Sequence, residues 1–296
     1  MTFRIVALRP IWFGISATLV GLSIAAFAVW GLKEGIDFTG GSLLTVQFEQ
    51  RPTTVDVERT LAPLDLGTVV IQPVGDTQMN IRTKTLDEQA HDNVLKALND
   101  AHGKTEQLRY DSIGPSIGAE LRGKAWQALV VAFLAILAYI AYAFRKVSAP
   151  VQSWKYGVIT VMQAFRDVMI PIGVFSVLGH FYGVEIGTPF IAAILTVLGY
   201  SITDCIVVMD RVRENLQKRS GSFEDIVETS IRQTALRSFN TSVSTLLTLF
   251  AIFFFGGASL HDFTLALIIG IIVGTYSSIF VSAPTLVTME KWGRKK

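Results

Sequence analysis

The chain is poor in the residues most chemistry needs. Cysteine occurs once, at Cys205, so no disulfide can form within the chain and no thiolate zinc cluster exists. The four histidines are scattered and give no metal-ligand spacing. Charge is also scarce: 17% of residues are charged and the net charge is +2, without the basic footprint of a nucleic-acid binder. What remains is apolar. Half the residues are hydrophobic and the mean hydropathy is +0.45, too apolar for an ordinary soluble domain.

A helix needs about 20 mostly apolar residues to cross a bilayer. Six stretches qualify: Ile11–Gly31, Ala125–Phe144, Tyr156–Leu178, Thr188–Met209, Phe239–Phe255 and Phe263–Val287. The third is the least clean, because it holds Gln163, Arg166 and Asp167. Lysine and arginine stay on the cytoplasmic side of short loops. Arg4 and Arg9, then Arg145, Lys146 and Lys155, then Arg211, Arg213, Lys218, Arg219 and Arg232, and finally Lys291, Arg294, Lys295 and Lys296 fall on one side. The opposite short loops, Gly179–Gly187 and Gly256–Asp262, have neither residue. The expected layout is a first transmembrane helix within residues 1–31, an external domain over 32–124, and a five-helix bundle over 125–296 with a cytoplasmic loop at 210–237. Both termini are inside. Ala26-Phe27-Ala28 resembles a signal-cleavage site, but the apolar core is longer than a typical signal's, so an uncleaved anchor is expected.

The external block holds 14 of the 24 acidic residues. Ser42–Phe48 alternates at strand spacing, and Thr54–Leu64 carries Val55, Val57, Leu61 and Leu64 at helical spacing. Thr68–Pro73 and Gln78–Thr83 read as strands around the turn Gly75-Asp76. Asp87–His102 reads as a helix stopped by Gly103, and Thr105–Asp111 as a last strand. The order β-α-β-β-α-β predicts a ferredoxin-like α+β domain. It has no paired catalytic groups and no phosphate loop, so a binding or spacing module is expected rather than an enzyme. "GIDFTGG" opens it. Gly35, Gly40 and Gly41 can take backbone angles closed to other residues. With Asp37 they make either a tight entry into the first strand or a hinge or docking turn.

Asp204 stands out in the fourth span. It lies roughly 9 Å past the middle of the span, toward the inner face. An ionised carboxylate near mid-membrane costs about 2.5–3.5 kcal/mol. A carboxyl balanced between burial and a neighbouring cation can take up and release a proton. Ser201 and Thr203 lie beside it in sequence. Arg237 opens the fifth span, followed by Ser238, Thr241, Ser242 and Thr245 at spacings of three and four. On this reading Arg237 stabilises the ionised acid and the hydroxyls hold either state. Two roles remain open for Asp204: a proton relay, or a permanently paired lock between helices. The hydroxyls also fit ordinary helix packing. Asp167 is a secondary candidate. Arg166, its neighbour in sequence, points to another helix face and is expected to snorkel to the inner interface. Ser222–Ala235 predicts an amphipathic helix along the inner surface. Gly270 and Gly274 form a GxxxG pair that favours close packing.

"GIDFTGG" (35–41), "LGYSITDCIVVMDRVREN" (198–215), "LRSFNTSVSTLLTLFAIFFFGGASLHDF" (236–263) and "GTYSSIF" (274–280) resemble the SecF family, the smaller membrane subunits of bacterial SecDF protein-export complexes. The layout of one span, an external domain and five further spans is similar too. The resemblance implies a place in the resistance-nodulation-division transporter superfamily and in the bacterial cytoplasmic (inner) membrane. It implies that the proton gradient helps to pull emerging polypeptide outward, with protons as the coupling ion and no cofactor. The family's transmembrane carboxylate falls on Asp204 and its basic partner on Arg237. Its third-span His-Asp-Val pattern appears here as Arg166-Asp167-Val168, and arginine does not deprotonate in proteins. Six spans without an internal repeat make one half of a two-bundle transporter. The expected partners are a SecD-like subunit, the SecYEG channel, unfolded polypeptide and membrane lipid, with no nucleic acid. Two alternatives stay open: a passive scaffold for the channel, or half of a proton-coupled small-molecule or lipid exporter.

Overall fold

The computed structural model describes residues 4–143, 153–218 and 220–294. Phe144, Arg145, Lys146, Arg219, Lys295 and Lys296, used above for span edges and orientation, lie outside them. The chain divides into two compact units, one of residues 1–33 with 128–296 and the other of residues 34–127.

The smaller unit carries a four-stranded sheet. Its elements are α2 (Ile36–Thr39), β1 (Gly41–Phe48), α3 (Thr54–Leu61) with a 3₁₀ turn at Ala62–Leu64, β2 (Val70–Val74), β3 (Gln78–Thr83), α4 (Glu88–His102) and β4 (Thr105–Ile113). The strand order is β2-β3-β1-β4, with every pair antiparallel. A β-α-β-β-α-β chain makes this order when each helical crossover skips one strand position. Alternation decides which face is buried. Leu44, Val46 and Phe48 of β1 and Met79 and Ile81 of β3 point the same way, at period two. Val57 and Leu61 of α3 and Val94 and Leu98 of α4 close over them. Both helices start on side-chain caps: Thr53 accepts from the Asp56 amide, and Asp87 from the Ala90 amide.

The glycine-rich entry is built for close approach. Gly40 and Gly41 have φ of 72° and 127°. A Cβ on Gly40 would lie 2.8 Å from Pro115 Cα, and one on Gly41 would lie 2.6 Å from the Thr83 carbonyl oxygen. Gly35 precedes the one-turn helix α2, and Asp37 sits in its first turn. Gly118 completes the fit, since a Cβ there would come within 2.8 Å of the Gly40 nitrogen. The turn therefore seats against the start of α5 (Pro115–Ala143), and Arg122 bridges to Glu34 at 2.9 Å.

The larger unit is helical: α1 (Arg9–Trp30), the C-terminal part of α5, α6 (Ser153–Tyr182), α7 (Thr188–Lys218), α8 (Phe223–Phe255), α9 (Ala258–Ser277), a π-turn (Ser278–Ser282) and α10 (Ala283–Arg294). Among the described residues six helical segments are long and apolar enough to cross a membrane: Arg9–Trp30, Pro115–Ile140, Trp154–Tyr182, Thr188–Lys218, Phe223–Phe255 and Leu260–Trp292. The protein is a multi-pass membrane protein. Two sequence expectations need correction here. The segment 210–237 is not a loop, and no separate surface helix covers Ser222–Ala235. α7 continues to Lys218, and α8 starts at its Ser222 cap and runs unbroken through the fifth span. No proline or glycine interrupts residues 223–255. The two helical extensions are tied together: Asn215 donates to Ser230 at 2.8 Å and to Gln233 at 2.9 Å, and Arg211 donates to Gln233 at 2.8 Å. The apolar stripe Phe223, Ile226, Val227 and Ile231 is buried in protein rather than laid on lipid.

The α3 cap is testable. The Thr53 hydroxyl, and then the Arg59 guanidinium, hold the exposed Asp56 carboxyl below its ordinary value of 3.8. A depressed carboxylate contributes stability above that ordinary value and loses it as pH falls through the lower folded value. Thr53→Ala should speed amide exchange of residues 54–61 about fivefold at neutral pH, the size of a ~1 kcal/mol cap. The gap from wild type should narrow below pH 3.8. Hydrogen–deuterium exchange on the full chain reads both effects.

Candidate functional site

Asp204 lies on the inward face of α7, with Val197, Leu198, Ser201, Ile202, Cys205 and Val208 buried along the same helix. Only 9% of Asp204 is exposed. Its Oδ1 accepts one hydrogen bond, from the Ser238 hydroxyl of α8 at 3.1 Å. Its Oδ2 is buried and has no hydrogen-bond partner. No hydrogen bond or close ion pair joins Arg237 to Asp204 among the described residues: Arg237 is exposed, and its charge acts on the carboxyl only across a gap. Ser238, one residue later, holds the inward position instead. Successive helix residues differ by about 100°, so only one of the two can face α7.

The expected hydroxyl stripe also divides. Ser238 and Ser242, four apart, are buried. Ser242 meets Tyr200 Oη at 3.1 Å and Thr275 Oγ1 at 2.6 Å, which links α8 to α7 and α9. Thr241 is exposed and Thr245 half-buried, and both return their hydroxyls to carbonyls of their own helix, at 2.9 and 3.0 Å. Thr203 does the same toward Gly199 at 2.9 Å. These three threonines do not touch Asp204.

Ser201 is committed elsewhere. Its hydroxyl donates to Asp167 Oδ2 and accepts from Gln163 Nε2 at 2.9 Å. Asp167 is fully buried on α6. Its Oδ1 accepts from Ser277 and lies 3.5 Å from Arg166 Nε, which also donates to the Ser277 hydroxyl at 2.9 Å. Arg166 is only 8% exposed, so it does not snorkel: it folds back beside its own neighbour, where Ser277 bridges the two. Ser282 donates to Gln163 Oε1 and closes the network.

Sequence reasoning named Asp167 and Ser201 but missed Ser277, Ser282 and the network that joins them, and the π-turn explains why. Ser277 and Ser282 are five residues apart, which in a regular α-helix is about 140° out of line. The i→i+5 spacing of a π-turn brings them to one side. The available signal was Pro284. It has no N–H for the Phe280 carbonyl and stands just after a run of serines in an apolar span. Close packing makes the network reachable. A Cβ on Gly270 would lie 2.2 Å from Val197 Cγ2, and one on Gly274 would lie 3.0 Å from Ser201 Cβ, so the glycine pair lets α9 meet α7.

The profile of the SecD/SecF C-terminal region of protein export membrane proteins matches residues 93–292, and the SecD/SecF GG motif matches residues 25–50. The chain belongs to the SecD/SecF family. The protein translocase subunit SecF of Thermobaculum terrenum is 38% identical over 299 residues, covering 97% of this chain and 93% of the relative. That of Anaerolinea thermophila is 37% identical over 292 residues, covering 97% and 94%. The crystal structure of SecDF, a translocon-associated membrane protein from Thermus thermophilus, superposes with a TM-score of 0.85 at 33% identity and 99% coverage of this chain. A SecDF structure described as a super-membrane-facing form gives 0.70 at 32% identity and 100% coverage. This chain spans about two fifths of those solved chains, 39% and 40%. The SecD/SecF regions matched here include the glycine-rich turn, Asp167, Asp204 and Arg237.

The glycine contact gives a direct test. Gly270→Ala should destabilise the full chain by about 1–3 kcal/mol, the usual size of overpacking. Gly199→Ala, where a Cβ meets nothing within 4 Å, should cost nothing. Thermal unfolding of both variants in detergent measures the difference.

Proposed function

We propose that this chain is the SecF-type half of a proton-driven protein-export unit, in which Asp204 takes up and releases the coupling proton. The observation that carries this reading is the state of its carboxyl. One oxygen meets a single hydroxyl, and the other is buried without a partner on an apolar helix. A proton on Oδ2 leaves a neutral acid that the bundle tolerates. Loss of the proton leaves a charge that needs a cation or water. Arg237 neighbours the residue that already touches Asp204. A turn of α8 that exchanges Ser238 for Arg237 would meet that need. α8 is therefore the element that answers the protonation state, and coupling follows if its rearrangement moves the external unit between two positions. One charge moving through 100 mV is worth about 2.3 kcal/mol, a factor of about 50 in an equilibrium.

The same reading covers partners and placement. The solved SecDF chains hold this fold in 39–40% of their length, which supports a SecD-like second half. The translocase relatives support work at the SecYEG channel on unfolded polypeptide. Basic residues at the ends of α1, α6, α7, α8 and α10 support cytoplasmic termini in a bacterial inner membrane.

Asp204→Asn should abolish gradient-dependent export in inverted vesicles that hold the full assembly, while the complex is recovered in normal amounts. Export at the wild-type level overturns the relay. Loss of the complex together with export favours a structural lock, and the passive scaffold with it.

A further inference from the structure

The hydrogen-bond directions around Asp167 are fixed by the donors that surround it. Arg166 Nε can only donate, so the Ser277 oxygen must accept from it, and the serine proton is left to point at Asp167 Oδ1. Gln163 Nε2 lies 3.3 Å from the Ser201 backbone carbonyl, which can only accept. That contact sets the amide's orientation, with Nε2 toward Ser201 and Oε1 toward Ser282. The Ser201 oxygen must then accept from Gln163, and its proton points at Asp167 Oδ2. Both carboxyl oxygens therefore receive hydrogen bonds. A protonated Asp167 would hold a hydrogen facing serines that are already donating to it.

The other ionisable groups on the packed elements do not disturb this arrangement. On α7, Cys205 lies 3.8 Å from Thr160 Oγ1 and Tyr200 pairs with Ser242. On α9, Tyr276 donates to the Trp12 carbonyl at 3.0 Å. On α10, Lys291 pairs with Glu224. The remaining acid near the network is Asp204 itself, three residues after Ser201 on α7, and its surroundings are the reverse: one hydroxyl, one orphaned oxygen and no ion pair among the described residues.

We propose that Asp167 is a permanently ionised positioning residue, clamped by Arg166, Ser201 and Ser277, that holds α7 in the rotation at which Asp204 meets Ser238. It anchors the helix that carries the proton site and does not itself carry a proton. Ser201 and Asp204 are three residues apart on one helix face, so the hold on Ser201 sets the direction of Asp204. The inference rests on the relay reading of Asp204 for its purpose. The hydrogen-bond directions hold independently.

Infrared difference spectra between high and low pH, recorded on the full chain in lipid vesicles, separate the two acids. Protonation of a dehydrated carboxyl gives a high-frequency C=O band. That band should vanish in Asp204→Asn. In Asp167→Asn it should keep its intensity and shift in frequency, because Asp204 then meets altered partners. Ser201→Ala removes one clamp without changing charge and should give a smaller shift in the same direction. It serves as the measure if Asp167→Asn fails to fold. Loss of band intensity in Asp167→Asn, or in Ser201→Ala where Asp204→Asn retains the band, overturns the proposal. So does an unshifted band in both clamp variants. A band that survives Asp204→Asn and stays unchanged in Asp167→Asn belongs to neither acid. That result sinks both the relay and the positioning role.

Discussion

The larger unit is governed by one constraint: inside an apolar bundle, a carboxylate must be served by protein groups, because no other donors are at hand. Asp167 on α6 meets it by drawing on two other helices. Ser201 comes from α7 and Ser277 from the end of α9. Each serine fixes the rotation of the helix it stands on, and Arg166 supplies the opposite charge from the same helix. The packing follows from there. Ser201 lies under Gly274, and only a residue without a side chain lets α9 come so close. Ser277 and Ser282 can both reach α6 only because the helix widens into a π-turn between them. Glycine pair, π-turn and serine cluster are one device with the buried acid at its centre.

On the proposed reading the two intramembrane acids divide stability and function between them. A fully served carboxylate is a poor proton carrier, because protonation breaks contacts that several helices share. A carboxyl with an orphaned oxygen is a poor anchor, because its burial is incompletely compensated. The two stand on neighbouring helices, linked through one turn of α7. The strain of the second is tolerated where the first holds the helix still. Breaking one partner of a buried charge pair typically costs about 3–5 kcal/mol, so the clamp has reserve that the relay lacks.

Local pattern made much of this legible in the sequence. β3 runs over Gln78–Thr83 and α7 starts at Thr188, as alternation and hydropathy indicate. Helical spacing and the Gly103 stop placed α3 and α4 to within a few residues. What failed depended on long-range partners. Sequence proximity tied Ser201 to Asp204, but the contact that won is 34 residues back, on α6. Arg166 looked fit to snorkel, since nothing local showed a serine 111 residues away waiting to receive it. Arg237 was assigned to Asp204 as a direct partner, yet a rotation of one residue gives the hydrogen-bonding place to Ser238 and leaves Arg237 acting from a distance. The helix over Ser222–Ala235 was expected, but its continuity with the fifth span and its pairing with α7 were not, because nothing local shows that Asn215 and Gln233 meet.

The exposed side of α8 adds a last step. Leu236, Phe239, Leu247 and Phe254 are open there, and so is Arg237. Thr241 has satisfied itself on its own helix and could face lipid without loss. Arg237, two residues before Phe239, has no hydrogen bond of that kind and carries its charge at the opening of the fifth span. Its position, roughly 20 Å along α8 from Phe223, lies past the stretch joined to α7 and at the edge of the apolar run that starts at Phe239, where water or a second bundle can meet its charge. A second bundle laid against this face would enclose Arg237 beside Asp204. On the two-half reading proposed above, a charge that this half leaves unmet is a reason for the halves to associate.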